Sequence, residues 1–465
     1  MKAVGPVLAT LALLLVATVS TNSLLSFMAI LVLLLGLRLL WMPGQPPVLI
    51  FIFCYQWLQA SIKIFHSDLL GVPVDQLNVL DGEVSLATTL SLAGLAALAL
   101  GMRLGVGPAM RTQDREVLTA ADAVWDKPPG FWLNCYAVAF LVALAAQSVA
   151  YVVPALSQLF LALATLKLAF YLILIHVAMS RPGPERRLWL LAFVVELLLG
   201  FGFFSGFKTV LFFTAFGMLS AGIKMNGLRM LGLVSIVALT LALGLGWTAV
   251  KKEQRRFLNQ GIATQEVLVS YNDGIKNLVN LAGELDSADL VDAAADMAER
   301  ISYVDFFSQV LVMVPAYVPH ENGAVWADAI IRPFMPRLLF PNKTAVNDSE
   351  RTNYYTGLTM SGVEAGTSIS IGYIGESYID FGRYLMMLPI LILGWVFGRY
   401  YRWMVNYRYS RGVMGMSLAS ATLYQVAYLE TSITKLVGGV VVAMLVSWIV
   451  ARLVVPRFYR LVPRQ

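Results

Sequence analysis

The chain has 465 residues, of which 58% are hydrophobic and 13% charged, with a net charge of +6 and a mean hydropathy of +0.72. That balance excludes an ordinary soluble domain, because the apolar residues fall in blocks of roughly 16 to 25, the length that crosses a hydrocarbon layer as a helix. The cysteines, Cys54 and Cys135, both lie inside apolar blocks without pairing or zinc-ligand spacing, so no disulfide framework or zinc site is indicated, and no nucleic-acid partner is expected.

The expected fold is an all-α polytopic membrane protein of about twelve transmembrane helices. Spans are predicted near 4–19, 24–40, 48–65, 86–107, 131–155, 158–180, 188–204, 209–223, 230–250, 385–400, 413–430 and 436–455. The first block follows Lys2 and leads into the second without an A-x-A pattern, which reads as a retained helix rather than a signal peptide. Arg38, Arg111, Arg115, Lys127, Arg181, Arg186, Arg187, Lys224, Arg229, Arg402, Arg408, Arg411, Arg457, Arg460 and Arg464 all fall on one side of this alternating path. The opposite short loops carry little beyond Lys63, Lys208 and Lys435, so the basic side and both termini are expected in the cytoplasm. Three parts result: residues 1–250 with nine spans, a large outer loop over 251–384, and residues 385–465 with three spans and a short cytoplasmic tail.

Two charges fall within the apolar blocks, Lys167 in "LATLKLAFYL" and Glu196 in "AFVVELLLG". An unpaired charge at mid-helix costs roughly 2.5 to 3.5 kcal/mol on insertion scales, so both must face the bundle or a wet cavity. Their similar depth on helices joined by a short loop suggests a mutual ion pair; a substrate or ion pathway is the alternative.

The outer loop is far longer than a helix connection requires, which marks a functional segment. It holds 17 acidic and 11 basic residues. The acidic excess is concentrated in "SADLVDAAADMAERISYVDFF", where Ser287 is a plausible N-cap. Asp289, Asp292, Asp296 and Glu299 recur there at helical spacing opposite Leu290, Ala294, Met297 and Ile301. A solvated helix face accounts for them. Glu284 with Asp286, and Asp81 with Glu83, have the short acidic spacing some metal-dependent glycosyltransferases use, but such pairs are common ahead of helices.

The basic residues are grouped. Lys251, Lys252, Arg255 and Arg256 form two i,i+4 pairs if the ninth helix continues past Val250; Arg300, Arg332, Arg337, Lys343 and Arg351 follow. The pairs either snorkel to lipid phosphates or hold the diphosphate of a polyprenyl-linked substrate, a task suited to arginine's planar fork.

The segment "IIRPFMPRLLFPNKTAVNDSERTNYYTG", followed by "GTSISIGYIGESYIDFG" and a span, resembles the oligosaccharide repeat-unit polymerases, the Wzy-like O-antigen polymerase family. The matching positions are Pro336, Arg337, Pro341 and Lys343 for one motif, and Gly375, Glu376, Tyr378, Phe381 and Gly382 for the other. The resemblance implies a GT-C-like, inverting, metal-independent glycosyltransferase without cofactor on the outer face of the bacterial inner membrane. Its substrate would be an undecaprenyl-diphosphate-linked oligosaccharide; membrane lipids, a chain-length-regulating copolymerase and a flippase are the implied partners. On that basis Lys251, Lys252, Arg255, Arg256, Arg300 and Lys343 are diphosphate-binding candidates, and Arg337 and Arg351 catalytic ones. Glu376 and Asp348 are the first candidates for the base, with Asp305 and His320 behind them. Tyr354, Tyr355, Tyr373 and Tyr378 are sugar-contacting or interfacial anchors. An O-antigen ligase shares this architecture and donor; a lipid-linked oligosaccharide flippase or other secondary transporter is the rival from another class.

Overall fold

The computed structural model describes residues 4–77, 82–107, 127–180, 183–200, 206–221, 227–262, 267–335, 339–340, 342–344, 346–360, 362 and 368–461. Among them every regular element is helical. A chain in hydrocarbon must satisfy its backbone polar groups internally, and a helix does so within one segment.

The first half of the chain comprises α1 (Val4–Val19), α2 (Ser23–Leu40), α3 (Val48–Leu70), α4 (Val84–Val106), α5 (Pro129–Val152), α6 (Ser157–Thr165), α7 (Lys167–Ser180), α8 (Trp189–Gly200), α9 (Phe207–Ser220) and α10 (Gly227–Leu258). The loop folds as α11 (Tyr271–Glu284), α12 (Ser287–Ile301), α13 (Val304–Met313), α14 (Ala324–Ile331) and α15 (Asp348–Thr356). It ends in α16 (Tyr373–Leu385), and α17 (Met387–Asn406), α18 (Val413–Leu423) and α19 (Ile433–Ile449) close the bundle. Residues Ile433–Arg460 run on as one apolar stretch through a π turn at Val450–Val454.

Seven helices among the described residues are long and apolar enough to cross a membrane: Ser23–Leu40, Val48–Leu70, Val84–Val106, Pro129–Val152, Pro154–Ser180, Val234–Leu258 and Ile433–Arg460. The α16–α17 pair makes eight if counted as one span. The other four expected spans fold as shorter helices: α1 with 16 residues, α8 with 12, α9 with 14 and α18 with 11. Within the described residues these are shorter than the roughly 20 residues of a typical crossing, and the expected spans over 188–204 and 209–223 include 201–204 and 222–223, which lie outside the described residues.

Glycines seat α4 against α17 at the centre of the bundle. A Cβ on Gly101 or Gly105 would collide with the backbone of Leu391 or Trp395, and one on Gly394 or Gly398 with the backbone of Leu98 or Met102. The pairing of 98 with 394 and 102 with 398 makes the two helices parallel, and the small residues four apart let their backbones touch, the usual basis of close packing in lipid.

A polar ridge on α3 ties bundle to loop. Gln56, Gln59 and Lys63, on one face at i, i+3 and i+7, are all buried. Gln56 donates to the Val426 carbonyl at 2.6 Å and accepts from the Tyr373 hydroxyl at 2.7 Å. Lys63 pairs with Asp305 at the start of α13.

In the loop, α12 begins one residue earlier than the Ser287 cap implied. Asp286 is the N-cap, accepting from Asp289 N–H at 2.8 Å while Asp289 accepts from Asp286 N–H at 3.0 Å, which occupies Asp286 in a capping box. Asp289, Asp292, Asp296 and Glu299 are exposed. Glu83 directly precedes α4, and Asp81 lies outside the described residues.

The second motif is a bend. Gly382 sits at φ 67°, a left-handed backbone that side chains resist, and α16 meets α17 at 118°. The amphipathic α16 packs on the loop helices α13 and α14, whereas α17 packs along α4 in the bundle.

Candidate functional site

The ninth predicted span does continue past Val250. The run "KKEQRRFL" contains no helix breaker, and α10 runs on to Leu258, after which the Gly261 N–H, at φ 78°, closes the turn on the Arg256 carbonyl at 2.9 Å. Trp247, Val250, Gln254 and Leu258 form the buried stripe of this helix. Gln254 locks α11 in place by donating to the Gly274 carbonyl at 2.8 Å and accepting from Asn277 at 2.7 Å. That stripe splits the four basic residues. Lys251 and Arg255 flank it and are half-buried, whereas Lys252 and Arg256 point away and are exposed.

The inward pair has company. Lys251 lies in electrostatic range of Arg300 at the end of α12, of Arg255, and of Lys208 in the first turn of α9. Arg255 also feels Arg300, and so does Lys208. Among the described residues, none of Lys208, Lys251 and Arg300 has a carboxylate within 4 Å. Four gathered cations repel one another, and a bound anion removes that cost.

A second cluster joins loop to bundle. Arg351 Nη1 contacts Glu376 Oε1 at 3.2 Å and donates to Thr434 Oγ1 at 3.4 Å, and Glu376 Oε2 accepts from Ile433 N–H at 2.5 Å. Glu376 therefore occupies the N-terminal end of α19, where the helix dipole favours a carboxylate. Lys435 bridges Asp348 at 2.7 Å and Ser368 at 2.6 Å. Burial pushes the Glu376 carboxyl up to about 7, against the pull of Arg351 and of the Ile433 N–H. Burial also opposes the charge on Arg351, yet Glu376 and Asp348 outweigh it and hold the guanidinium above its ordinary range.

The sequence-level candidates thus separate. Arg351, Glu376 and Asp348 come together, but as a clamp: Glu376 is 1% and Asp348 3% exposed, and both carboxylates already serve cations of the fold. Asp305 is engaged by Lys63. His320 sits 3.1 Å from the Ile379 carbonyl, with its ring against Tyr378. Lys343 does not join the cationic patch; its ammonium donates to the carbonyls of Arg332 and Met335 at 2.6 and 3.0 Å, fixing the proline-rich turn. Arg337, Pro336 and Pro341 lie outside the described residues.

Of the four tyrosines, Tyr354 alone is exposed. Tyr373 is fully buried on Gln56, Tyr378 donates to the Val314 carbonyl at 3.0 Å, and Tyr355 donates to Glu321 at 2.7 Å, so these three are core residues with occupied hydroxyls. Lys167 and Glu196 meet at 2.8 Å, and the Tyr136 hydroxyl completes the pair by donating to Glu196 at 2.6 Å.

No protein-family model, no curated protein and no solved structure matches the chain. Sequence reasoning passed over Lys208, Lys435 and the nearby Glu430. A signal for two of them was available: Lys63, Lys208 and Lys435 are the lysines of the side expected to be charge-poor, and each is bound to or faces a carboxylate.

Proposed function

We propose that this chain is an inverting glycosyltransferase that joins undecaprenyl-diphosphate-linked oligosaccharide repeat units into a surface polysaccharide, as its likeness to the Wzy-like polymerases implies. The observation that carries this reading is the gathering of Lys208, Lys251, Arg255 and Arg300 where the apolar bundle meets the motif-bearing loop. A polyprenyl diphosphate presents its charge at that depth while its tail stays in lipid. Departure of the diphosphate builds negative charge, and preplaced cations in a partly dry site lower the barrier to it.

On this reading the loop lies on the outer face of the bacterial inner membrane, both termini are cytoplasmic, and the four short apolar helices complete twelve spans of GT-C-like architecture. The product would be O-antigen, capsule or exopolysaccharide. Lys167 and Glu196 satisfy each other and Tyr136, which supports an architectural role over a transport pathway.

Deletion of the gene tests the proposal through the surface glycan. Loss of long chains with retention of a single repeat supports a polymerase. Loss of all attached repeats points to a ligase or a flippase and overturns it.

A further inference from the structure

One carboxylate beside the cationic patch is held without being neutralised. Glu430 lies in the connector between α18 and α19 and is half-buried. Gln59 of α3 donates its side-chain amide to Glu430 Oε2, while Gln59 Oε1 accepts from Leu429 N–H at 2.8 Å, so α3 grips the connector on both sides of that peptide. Among the described residues Glu430 has no cation within 4 Å, and Oε1 receives no hydrogen bond. The titratable groups around it are Tyr55 from α3, Lys208 from α9, Tyr303 ahead of α13, and Tyr428 on its own connector. The other carboxylates nearby are spent or sealed. Asp305, Glu376 and Asp348 each bind a cation, and the one open oxygen of Asp348 is buried.

We propose that Glu430 is the proton acceptor of the glycosyl transfer, an inference that rests on the polymerase reading above. The acceptor sugar's hydroxyl oxygen attacks the anomeric carbon of the growing chain. The bond from that carbon to the lipid diphosphate breaks, and its electron pair leaves on the diphosphate beside Lys208, Lys251, Arg255 and Arg300. The hydroxyl proton passes to Glu430 and from there to water. One oxygen fixed by Gln59 and the other open is the arrangement this step requires, since a base must be oriented yet keep a lone pair for the proton.

The test uses the purified full-length protein. Membrane vesicles from a strain lacking the gene supply the accumulated lipid-linked repeats, and undecaprenyl diphosphate in detergent is the binding probe. Glu430→Gln keeps the shape and the contact to Gln59. It should lose roughly 10²- to 10⁴-fold in turnover, bind the probe as the wild type does, and lose the acidic limb of the pH profile, with Glu430→Asp recovering part of the rate. Near-normal turnover in Glu430→Gln, or an acidic limb that persists in its residual activity, overturns the role of Glu430 and leaves the polymerase reading standing. Loss of probe binding together with turnover also overturns it, since Glu430 would then be a positioning residue. A wild-type protein that does not extend the repeats overturns the reading itself, and the role of Glu430 with it.

Discussion

Arg351 and Glu376 meet at 3.2 Å beneath the first turn of α19, and through them the loop helices α15 and α16 are bound to the bundle. The pair titrates in an accessible range. The folded carboxyl sits at about 7, above its ordinary 4.5, so the folded protein holds a proton that the unfolded chain has released. The stabilising contribution is therefore fully present below about pH 4.5 and is lost as pH rises through about 7, a change on the order of 3 kcal/mol. Thermal unfolding in detergent between about pH 5 and pH 8 should show the midpoint falling with pH in the wild type, with a flatter profile in Glu376→Gln. Arg351→Ala removes the pull on that carboxylate; it should cost on the order of 3 kcal/mol near neutral pH and move the pH-dependent fall upward. A Glu376→Gln profile that tracks the wild type would show that another group governs the window.

The division of the α10 cations yields a second prediction. Alanine at Lys208, Lys251, Arg255 or Arg300 should each reduce turnover by on the order of 10² to 10³, the usual cost of losing one donor to a developing charge. Alanine at Lys252 or Arg256 should leave long-chain glycan near normal, because those side chains face away from the patch. Arg255→Lys should recover only part of the rate, since the charge survives without the fork. Membrane-fraction immunoblots separate these effects from misfolding. Equal losses on both faces of the helix would mean that the basic corner serves membrane anchoring instead.

Much of this molecule was legible in its sequence, for identifiable reasons. Helical class follows from composition, and the continuation of α10 follows from the absence of a breaker before Gly261. Even the inward face of that helix is written in the spacing of Trp247, Val250 and Leu258. What sequence did not reveal is pairing across distance. Lys435 meets Asp348 and Gln59 meets Glu430 only because α3, α19 and the loop share one end of the bundle, a fact that no local pattern encodes. Nor does charge alone reveal a contact: Lys343 and Glu376 carry motif positions, and the structure sets one on the carbonyl of a turn and the other at a helix end.

The α4–α17 contact should be intolerant of bulk. Gly101→Val and Gly398→Val each push a side chain into facing backbone, which cannot rotate away, so a loss of about 1 to 3 kcal/mol or more is expected. Gly246→Ala is the control: nothing lies within 4 Å of its Cβ position, and alanine is the better helix former. Melting midpoints in detergent should order the variants accordingly, and equal midpoints for Gly101→Val and Gly246→Ala would refute the close backbone approach.

Activity should persist in EDTA if the four cations neutralise the leaving diphosphate. Extension of lipid-linked repeats by purified protein, with and without chelator, measures this directly. Restoration only by added Mg²⁺ or Mn²⁺ would shift attention to carboxylates such as Glu284 and Asp286.

The ion pair between Lys167 and Glu196 separates an architectural role from a transport one. Removing either partner leaves a charge stranded in the bundle, so Lys167→Met or Glu196→Gln alone should lower stability and expression. Breaking such a pair from one side typically costs about 3 to 5 kcal/mol where both groups are buried, and the half-buried position of Lys167 places it toward the low end. The double variant removes both charges at once and should recover most of that loss, because the stranded charge, rather than the absent attraction, is the expensive element. Glycan length in the double variant then decides the role. Long chains at normal levels are expected if the pair only braces α7 against α8. A stable double variant that makes no polymer would place this pair on a substrate or proton path through the membrane, and would favour a transporter over the transferase proposed above.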